Sequence, residues 1–251
     1  MNRNIAFLGG DSQVGTTMIS QSVAEELSRR HLRTLFVQAS GKTGDDYFVN
    51  KEEKTIDDIR ANLINGYLDR YELNQNLTEE GGLFILPAVR SYAGAGSYPE
   101  NVIMPLVSAA GDFDVLIFDC GDDLRSGLVI SALMECPEVF VVLTQQEKTL
   151  RRFRNLKEQA LDMLKIEGRL LINKYQSDFS LLSEREIERL FAMDCGGRIP
   201  YVEYGWQAEI EHKTLMGSGR FRKAVEEIAS DITGETAEER SWIKNLISRN
   251  T

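Results

Sequence analysis

The stretch best suited to chemistry is Gly9-Gly10-Asp11-Ser12-Gln13-Val14-Gly15-Thr16-Thr17. It follows a short apolar run and opens a helix-like one. Gly10 and Gly15 are spaced as G-x-x-x-x-G, the spacing of a phosphate cradle. In such a loop the backbone N–H groups and the following helix N-terminus make an anion site without side-chain help. Thr17 stands where the hydroxyl of such a loop meets Mg²⁺. The Lys expected just before it is missing, and Thr16 takes its place. The plainer reading is a Gly-Gly turn joining a strand to a helix, and the loop alone does not decide between the two. A dinucleotide fingerprint fits less well. It needs G-x-G-x-x-G and an acid at the end of the second strand, where Gln38-Ala39-Ser40 stands.

A second feature joins the loop. Asp114-Val115-Leu116-Ile117-Phe118-Asp119 is a hydrophobic strand ending in an acid. That pattern supports Mg²⁺ opposite a phosphate loop. Its ordinary alternative is an Asp that caps a turn. Together, and in this order on buried strands, the two features point to a nucleotide held with Mg²⁺.

The elements that must position these residues alternate. Ile5–Leu8, Thr34–Val37, Leu83–Leu86, Val115–Phe118, Val139–Leu143 and Leu170–Ile172 read as strands. Several are continuously apolar, which fits strands covered on both faces. A helix is predicted over Thr17–Arg30, where Ile19, Val23 and Leu27 recur at helical spacing. Others are predicted over Val102–Ala110, 126–135, 148–166 and 183–193. Ser40–Glu53 reads as a polar loop, Thr55 as the cap of a short helix, and Ala93–Ser97 as a mobile loop. The expected fold is α/β: three layers around a doubly wound, mostly parallel sheet, in one domain spanning 1–251. In that architecture ligands bind at the carboxyl ends of the strands.

Composition narrows the function. The chain has 251 residues, enough for one large domain, and 42% are hydrophobic, enough for a core. Lys+Arg is 29 against Asp+Glu 39, a net charge of −10. That excess disfavours broad nucleic-acid binding, which relies on cations at phosphates. No apolar run approaches the ~20 residues of a membrane span, and no signal peptide is read at the start. Cys120, Cys136 and Cys195 show neither CxxC nor metal spacing, and a sparse, odd set suits a reducing cytoplasm.

Taken in order, Gly9 to Thr17, "TLFVQAS", "TIDDI", "GLFILPA", "FDVLIFDCGDDL", "VFVVLTQQEKTLRR", "LLINKY" and "RIPYVEY" make the chain resemble the ParA/MinD group of P-loop ATPases, most of all its TadZ/CpaE branch. The likeness spans roughly residues 3 to 225. It implies ATP or ADP with Mg²⁺ as ligand. Gly10, Asp11, Ser12, Gln13, Val14, Gly15, Thr16 and Thr17 would cradle the phosphates, and Met18 would join them in the nucleotide site. Thr17 and Asp119 would serve the metal, Asn173 would hydrogen-bond adenine, and Pro200 and Tyr201 would line the base pocket. Cys120 to Leu124 corresponds to the switch that senses the γ-phosphate. The resemblance also implies a nucleotide-linked homodimer and protein partners, for example in a secretion or pilus apparatus. The expected location is the cytoplasm, with recruitment to the inner membrane face or a cell pole.

Three departures qualify that resemblance. The family's signature Lys aligns with Asp11, its P-loop Lys with Thr16, and its catalytic carboxylates with the acid-free Gln38-Ala39-Ser40. Asp45 and Asp46 follow only later, in a polar loop. A charge-assisted hydrogen bond is worth about 1.5–3 kcal/mol, so each missing Lys weakens binding by roughly tenfold to a hundredfold. Catalysis suffers more, because phosphoryl transfer needs positive charge and an oriented water. The expectation is a nucleotide switch that hydrolyses ATP slowly or not at all. The alternative is a pseudo-ATPase that has lost nucleotide and acts as an interaction module.

Other features read more plainly. Glu238–Asn250 puts Trp242, Ile243, Leu246 and Ile247 on one face, but its basic excess is small for a membrane helix, so a packed helical tail over about 236–251 is expected and membrane contact is at most peripheral. The run Lys148, Arg151, Arg152, Arg154, Lys157 reads as a solvated helix face. His212 reads as surface, and Cys120 as a small buried residue.

Overall fold

The structure is a computed structural model that describes residues 3–43, 54–91, 94, 96–203 and 205–235. Asp45, Asp46, Ala93, Ala95 and the tail predicted over 236–251 lie outside the described residues. The strands are β1 (Arg3–Gly9), β2 (Thr34–Gln38), β3 (Thr78–Glu80), β4 (Leu83–Leu86), β5 (Val115–Asp119), β6 (Glu138–Thr144), β7 (Arg169–Tyr175) and β8 (Cys195–Pro200). They form one sheet in the order β3-β4-β2-β5-β1-β6-β7-β8. Every pairing is parallel except β3 with β4. The helices are α1 (Thr16–Arg29), α2 (Arg60–Asn65), α3 (Arg70–Gln75), α4 (Ile103–Ala109), α5 (Gly127–Glu135), α6 (Glu147–Leu156), α7 (Glu184–Phe191), α8 (Trp206–Ile210) and α9 (Gly219–Thr233).

Alternation along each strand builds three layers, because successive side chains leave opposite faces. Ala6, Leu8, Leu116, Phe118, Val141 and Leu143 join Leu106 of α4, Leu128 of α5, Phe153 of α6 and Ile187 of α7 in one buried cluster. Ile5, Phe7, Ile117, Phe140 and Val142 join Ile19, Val23 and Leu27 of α1, and Phe221, Val225 and Ile228 of α9, in the other. The doubly wound, mostly parallel α/β sheet expected from the sequence is the fold observed.

Local chemistry sets several boundaries. Thr55 caps the short turn Ile56–Asp58 in a capping box with Asp58, as its position predicts. Helix α1 begins at Thr16, one residue earlier than predicted, because Gly15 takes the left-handed cap conformation at φ 92°. The helix predicted over 148–166 is continuous from Glu147 to Leu164: α6 runs on through a π-helical turn over Lys157–Leu161 into a last α-helical turn over Asp162–Leu164, and Lys165 closes the segment at φ 56°. Within the predicted mobile loop, the described Gly94 and Ser97 lie in hydrogen-bonded turns, Gly94 N to Ser91 O at 3.0 Å and Ser97 N to Gly94 O at 3.1 Å.

Phe153 ties this packing to the loop. It is fully buried and meets Phe191 edge-on at 4.8 Å. Its ring also lies against Gly10, where an added Cβ would come within 3.0 Å of it. Phe153→Ala is expected to cost about 3–5 kcal/mol in urea unfolding, the range for a buried aromatic.

Candidate functional site

The loop after β1 is pinned from both sides. Gly9 N–H donates to the Gly121 carbonyl at 2.6 Å, and Gly10 N–H to the Val142 carbonyl at 2.9 Å. Gly10 has no room for a side chain, since a Cβ would stand 2.2 Å from Leu143 Cδ2. A Cβ on Gly15 would stand 2.4 Å from Asn173 Nδ2, at a φ that disfavours L side chains anyway. Both glycines of the predicted cradle are therefore required by close approach. Thr16, in the place of the lysine, is 7% exposed. Its hydroxyl is turned inward on Gly9, whose added Cβ would be 2.6 Å away. Thr17 is half-buried in the first turn of α1, and Met18 is buried.

Asp11 is neutralised within the chain. Its Oδ1 accepts from Ser12 N at 2.8 Å and from Arg152 Nη1 at 2.7 Å. Burial pushes its pKa up, but the Arg152 hydrogen bond, the Ser12 N–H and the charges of Arg152 and Lys148 outweigh it, so the carboxyl is held below its ordinary value. Elsewhere the basic run is a solvated helix face, with Lys148, Arg151 and Arg154 exposed, and it carries local ion pairs. Lys157 meets Asp162 at 2.6 Å, and Arg151 lies 3.6 Å from Glu147.

The end of β7 grips the loop's far side. Asn173 is buried, and its Nδ2 donates to the Val14 carbonyl at 2.7 Å. Its Oδ1 accepts from Lys174 N at 2.8 Å, and Lys174 Nζ donates to the Gln13 carbonyl at 3.2 Å. Gln13 and Lys174 both adopt positive φ, 60° and 53°, which bends the two backbones towards this contact.

Beside this grip opens a cavity of about 470 Å³. Six of the predicted residues line it: Gln13, Gly15, Met18, Asn173, Pro200 and Tyr201. Sequence reasoning missed Lys174, Val202, Gly205, Trp206, Leu215 and Phe221, which complete the wall. Trp206, just beyond "RIPYVEY", was the available signal. The size falls within the ~300–1,000 Å³ of small-ligand sites, and the mixture of flat, apolar and amide groups suits a heteroaromatic ring.

The segment between β8 and α9 closes this cavity and is latched to α1. Thr214 Oγ1 donates to Glu25 Oε2 at 2.8 Å, and Leu215 N–H to Met18 Sδ at 3.2 Å. Burial raises the Glu25 pKa above its ordinary value despite hydrogen bonds from Thr214 and Gln21. The native state thus holds a proton that the unfolded chain has released, so stability falls as pH climbs from the unfolded pKa through the raised one. Glu25→Gln keeps an acceptor for Thr214 and lacks the ionisation. It is expected to be more stable than the parent at neutral pH, with a flatter dependence, in urea titrations at acidic and neutral pH.

Asp119 ends β5, wholly buried, in register with Phe7 of β1 and Gln38 of β2. Its Oδ1 accepts from Gly121 N at 3.2 Å. Gln38 is also buried, its Oε1 accepting from Ala88 N at 2.8 Å. Cys120 is buried, and its thiol is pushed well above its ordinary pKa by burial, which leaves it inert as a nucleophile. Asp122 pairs with Lys42, and Asp123 with Arg125 at 2.8 Å. Thr17 and Asp119 offer hydroxyl and carboxylate oxygens, donors that fit Mg²⁺. Among the described residues no group of three or more His, Cys, Asp or Glu is placed to hold a metal. That donor set suits Mg²⁺, which takes one or two protein ligands and fills its shell with phosphate and water.

No protein-family model matches the sequence, and no curated protein matches it. Solved structures do match the fold. A ParA family ATPase from Chlorobium tepidum TLS superposes with a TM-score of 0.78 at 20% identity, over 91% of this chain and 97% of the other. The septum site-determining protein MinD from Pyrococcus horikoshii OT3, solved with Mg-ADP, gives 0.76 at 15% identity, over 92% and 96%. A plasmid partition protein from Borrelia burgdorferi B31, bound to AMPPNP, gives 0.70 at 14% identity, over 94% and 100%. The fold is that of the ParA/MinD P-loop proteins.

Proposed function

We propose that this chain is an adenine-nucleotide-binding switch or localisation protein of the ParA/MinD type, nearest to the TadZ/CpaE branch, which hydrolyses ATP slowly or not at all. The observation that carries this reading is the cavity wedged between the loop, the end of β7 and the segment after β8. It adjoins the N-terminus of α1, where the N-cap residue Gly15 makes no side-chain cap bond. Two fold neighbours were solved with Mg-ADP and with AMPPNP, which supports the same ligand class here. Gly10 to Thr17 would hold the phosphates, Asn173, Pro200 and Tyr201 the base, and Thr17 and Asp119 the Mg²⁺, with Met18 on the cavity wall. When bound, Mg²⁺ would neutralise phosphate charge.

Slow hydrolysis follows from what the strand ends offer. Gln38 carries no charge and its side-chain oxygen is engaged by Ala88 N–H, so the end of β2 supplies no base for water. Output would come through nucleotide-linked dimerisation and protein partners, for example those of a pilus or secretion apparatus, at the membrane face or a pole. Among the described residues no helix is long and apolar enough to cross a membrane.

The second reading, an interaction module without nucleotide, is favoured by Asp11 and by the inward-turned Thr16. Thermal unfolding with Mg-ATP, Mg-ADP and no ligand separates the two. A rise with either nucleotide, or nucleotide released from purified protein on denaturation, supports the switch. No rise at millimolar ATP supports the module, and a steady-state ATPase rate equal to that of active ParA-type enzymes would refute the slow-hydrolysis claim.

A further inference from the structure

We propose that Arg152, on α6, is a phosphate-binding side chain of this site and supplies from outside the loop the cation that the loop lacks. The inference rests on the nucleotide reading above and extends it to a residue distant in sequence. From Gly9 to Thr17 the loop holds one charged residue, and it is an acid, Asp11. A polyphosphate placed there would meet like charge. Among the described residues, the cations whose side chains touch the loop are Arg152, at Asp11, and Lys174, at the Gln13 carbonyl.

Arg152 is set at the loop by packing as well as by charge. Its neighbour Phe153 is fully buried and lies against Gly10, so α6 cannot drift from the loop without opening the core. The pair with Asp11 engages one guanidinium nitrogen, Nη1, at 2.7 Å. No other bond to Arg152 is made among the described residues, so Nε and Nη2 keep their donors. The Asp11 side chain is 10% exposed and that of Arg152 is 51% exposed, so the open side of the pair is the cationic one. Lys148, one turn earlier on α6, adds its charge at the same place. A guanidinium with spare donors in fork geometry is the group best matched to phosphate oxygens. Asp11 then serves as the positioning residue that aims it.

Mg-ATP affinity of the full chain, measured by calorimetry, tests this in wild type, Asp11→Asn, Arg152→Ala and the double variant, with tripolyphosphate as a base-free probe. Arg152→Ala is expected to weaken Mg-ATP and tripolyphosphate by about tenfold or more, in the wild-type and in the Asp11→Asn background alike. Arg152→Lys should recover part of the loss. If Arg152→Ala is silent once Asp11 is neutral, Arg152 only cancels that charge and the proposal falls. If Arg152→Ala tightens binding, the pair is a barrier and the proposal also falls. If wild type binds neither ligand at millimolar concentration, the nucleotide reading itself fails. Wild-type binding with an unaffected Arg152→Ala overturns this inference alone. In the Asp11→Asn background Arg152→Ala leaves no carboxylate unpaired, so an unchanged unfolding midpoint there confirms that the losses are local.

Discussion

Thr17→Ala and Asp119→Asn are expected to abolish the Mg²⁺-dependent part of the stabilisation by ATP. A ligand present at about 100 to 1,000 times its dissociation constant stabilises the native state by about 2.7–4.1 kcal/mol. For a chain of this size that is a rise of roughly 5–15 °C in unfolding midpoint. Micromolar affinity and millimolar ATP give this ratio. Thr17 leaves a half-buried position, so its loss should touch ligand binding and little else. Asp119 is wholly buried and accepts from Gly121 N–H, so Asn is the cleaner change, keeping the shape and an acceptor oxygen. The measurement is thermal unfolding with ATP, with and without Mg²⁺. A full Mg-ATP shift in both variants would remove these residues from the metal site.

The central strands and the loop were legible because their signals are local. β1, β5, β6 and β7 are apolar runs buried on both faces, and their polar ends Asp119 and Asn173 stand out against them. The edge strands were not. β3 is Thr-Glu-Glu, partly exposed, and in β8 Ile199 is the single buried apolar residue, so both depend on their neighbours' ladders. Position in the motif marked the residues proposed for the cradle, yet it could not tell what each would touch. Asp11 read as an acid facing phosphate. Its partner Arg152 lies 141 residues away, on a helix whose face toward the loop is fixed by Phe153 and Gly10. The π-helical turn after Leu156 shows the same limit, since π geometry leaves no trace in an apolar period.

Asn173→Asp carries the second large effect, because one side chain is common to the loop, the cavity and the core. The resemblance assigns Asn173 to the base. In the structure its amide donates to the Val14 carbonyl and its carbonyl oxygen accepts from Lys174 N–H, so it also clamps the loop to β7. Aspartate keeps the acceptor for Lys174. It replaces the donor with an oxygen at a carbonyl 2.7 Å away, and puts a charge in a site that is 6% exposed. A buried acceptor left unmade costs about 1–3 kcal/mol, and more where charge is involved. Stability should therefore fall by roughly 2–4 kcal/mol in urea unfolding. Lowering pH should restore part of it, because a protonated aspartic acid regains a donor for Val14. Asn173→Ala would lose the clamp without adding charge, so its deficit should be smaller and independent of pH. If both variants unfold alike at every pH, the amide bond to Val14 is not what holds the loop. Nucleotide binding should fall in both, since the loop carbonyls and the cavity wall move together, and a variant that keeps full stability but loses nucleotide would instead mark Asn173 as a base contact alone.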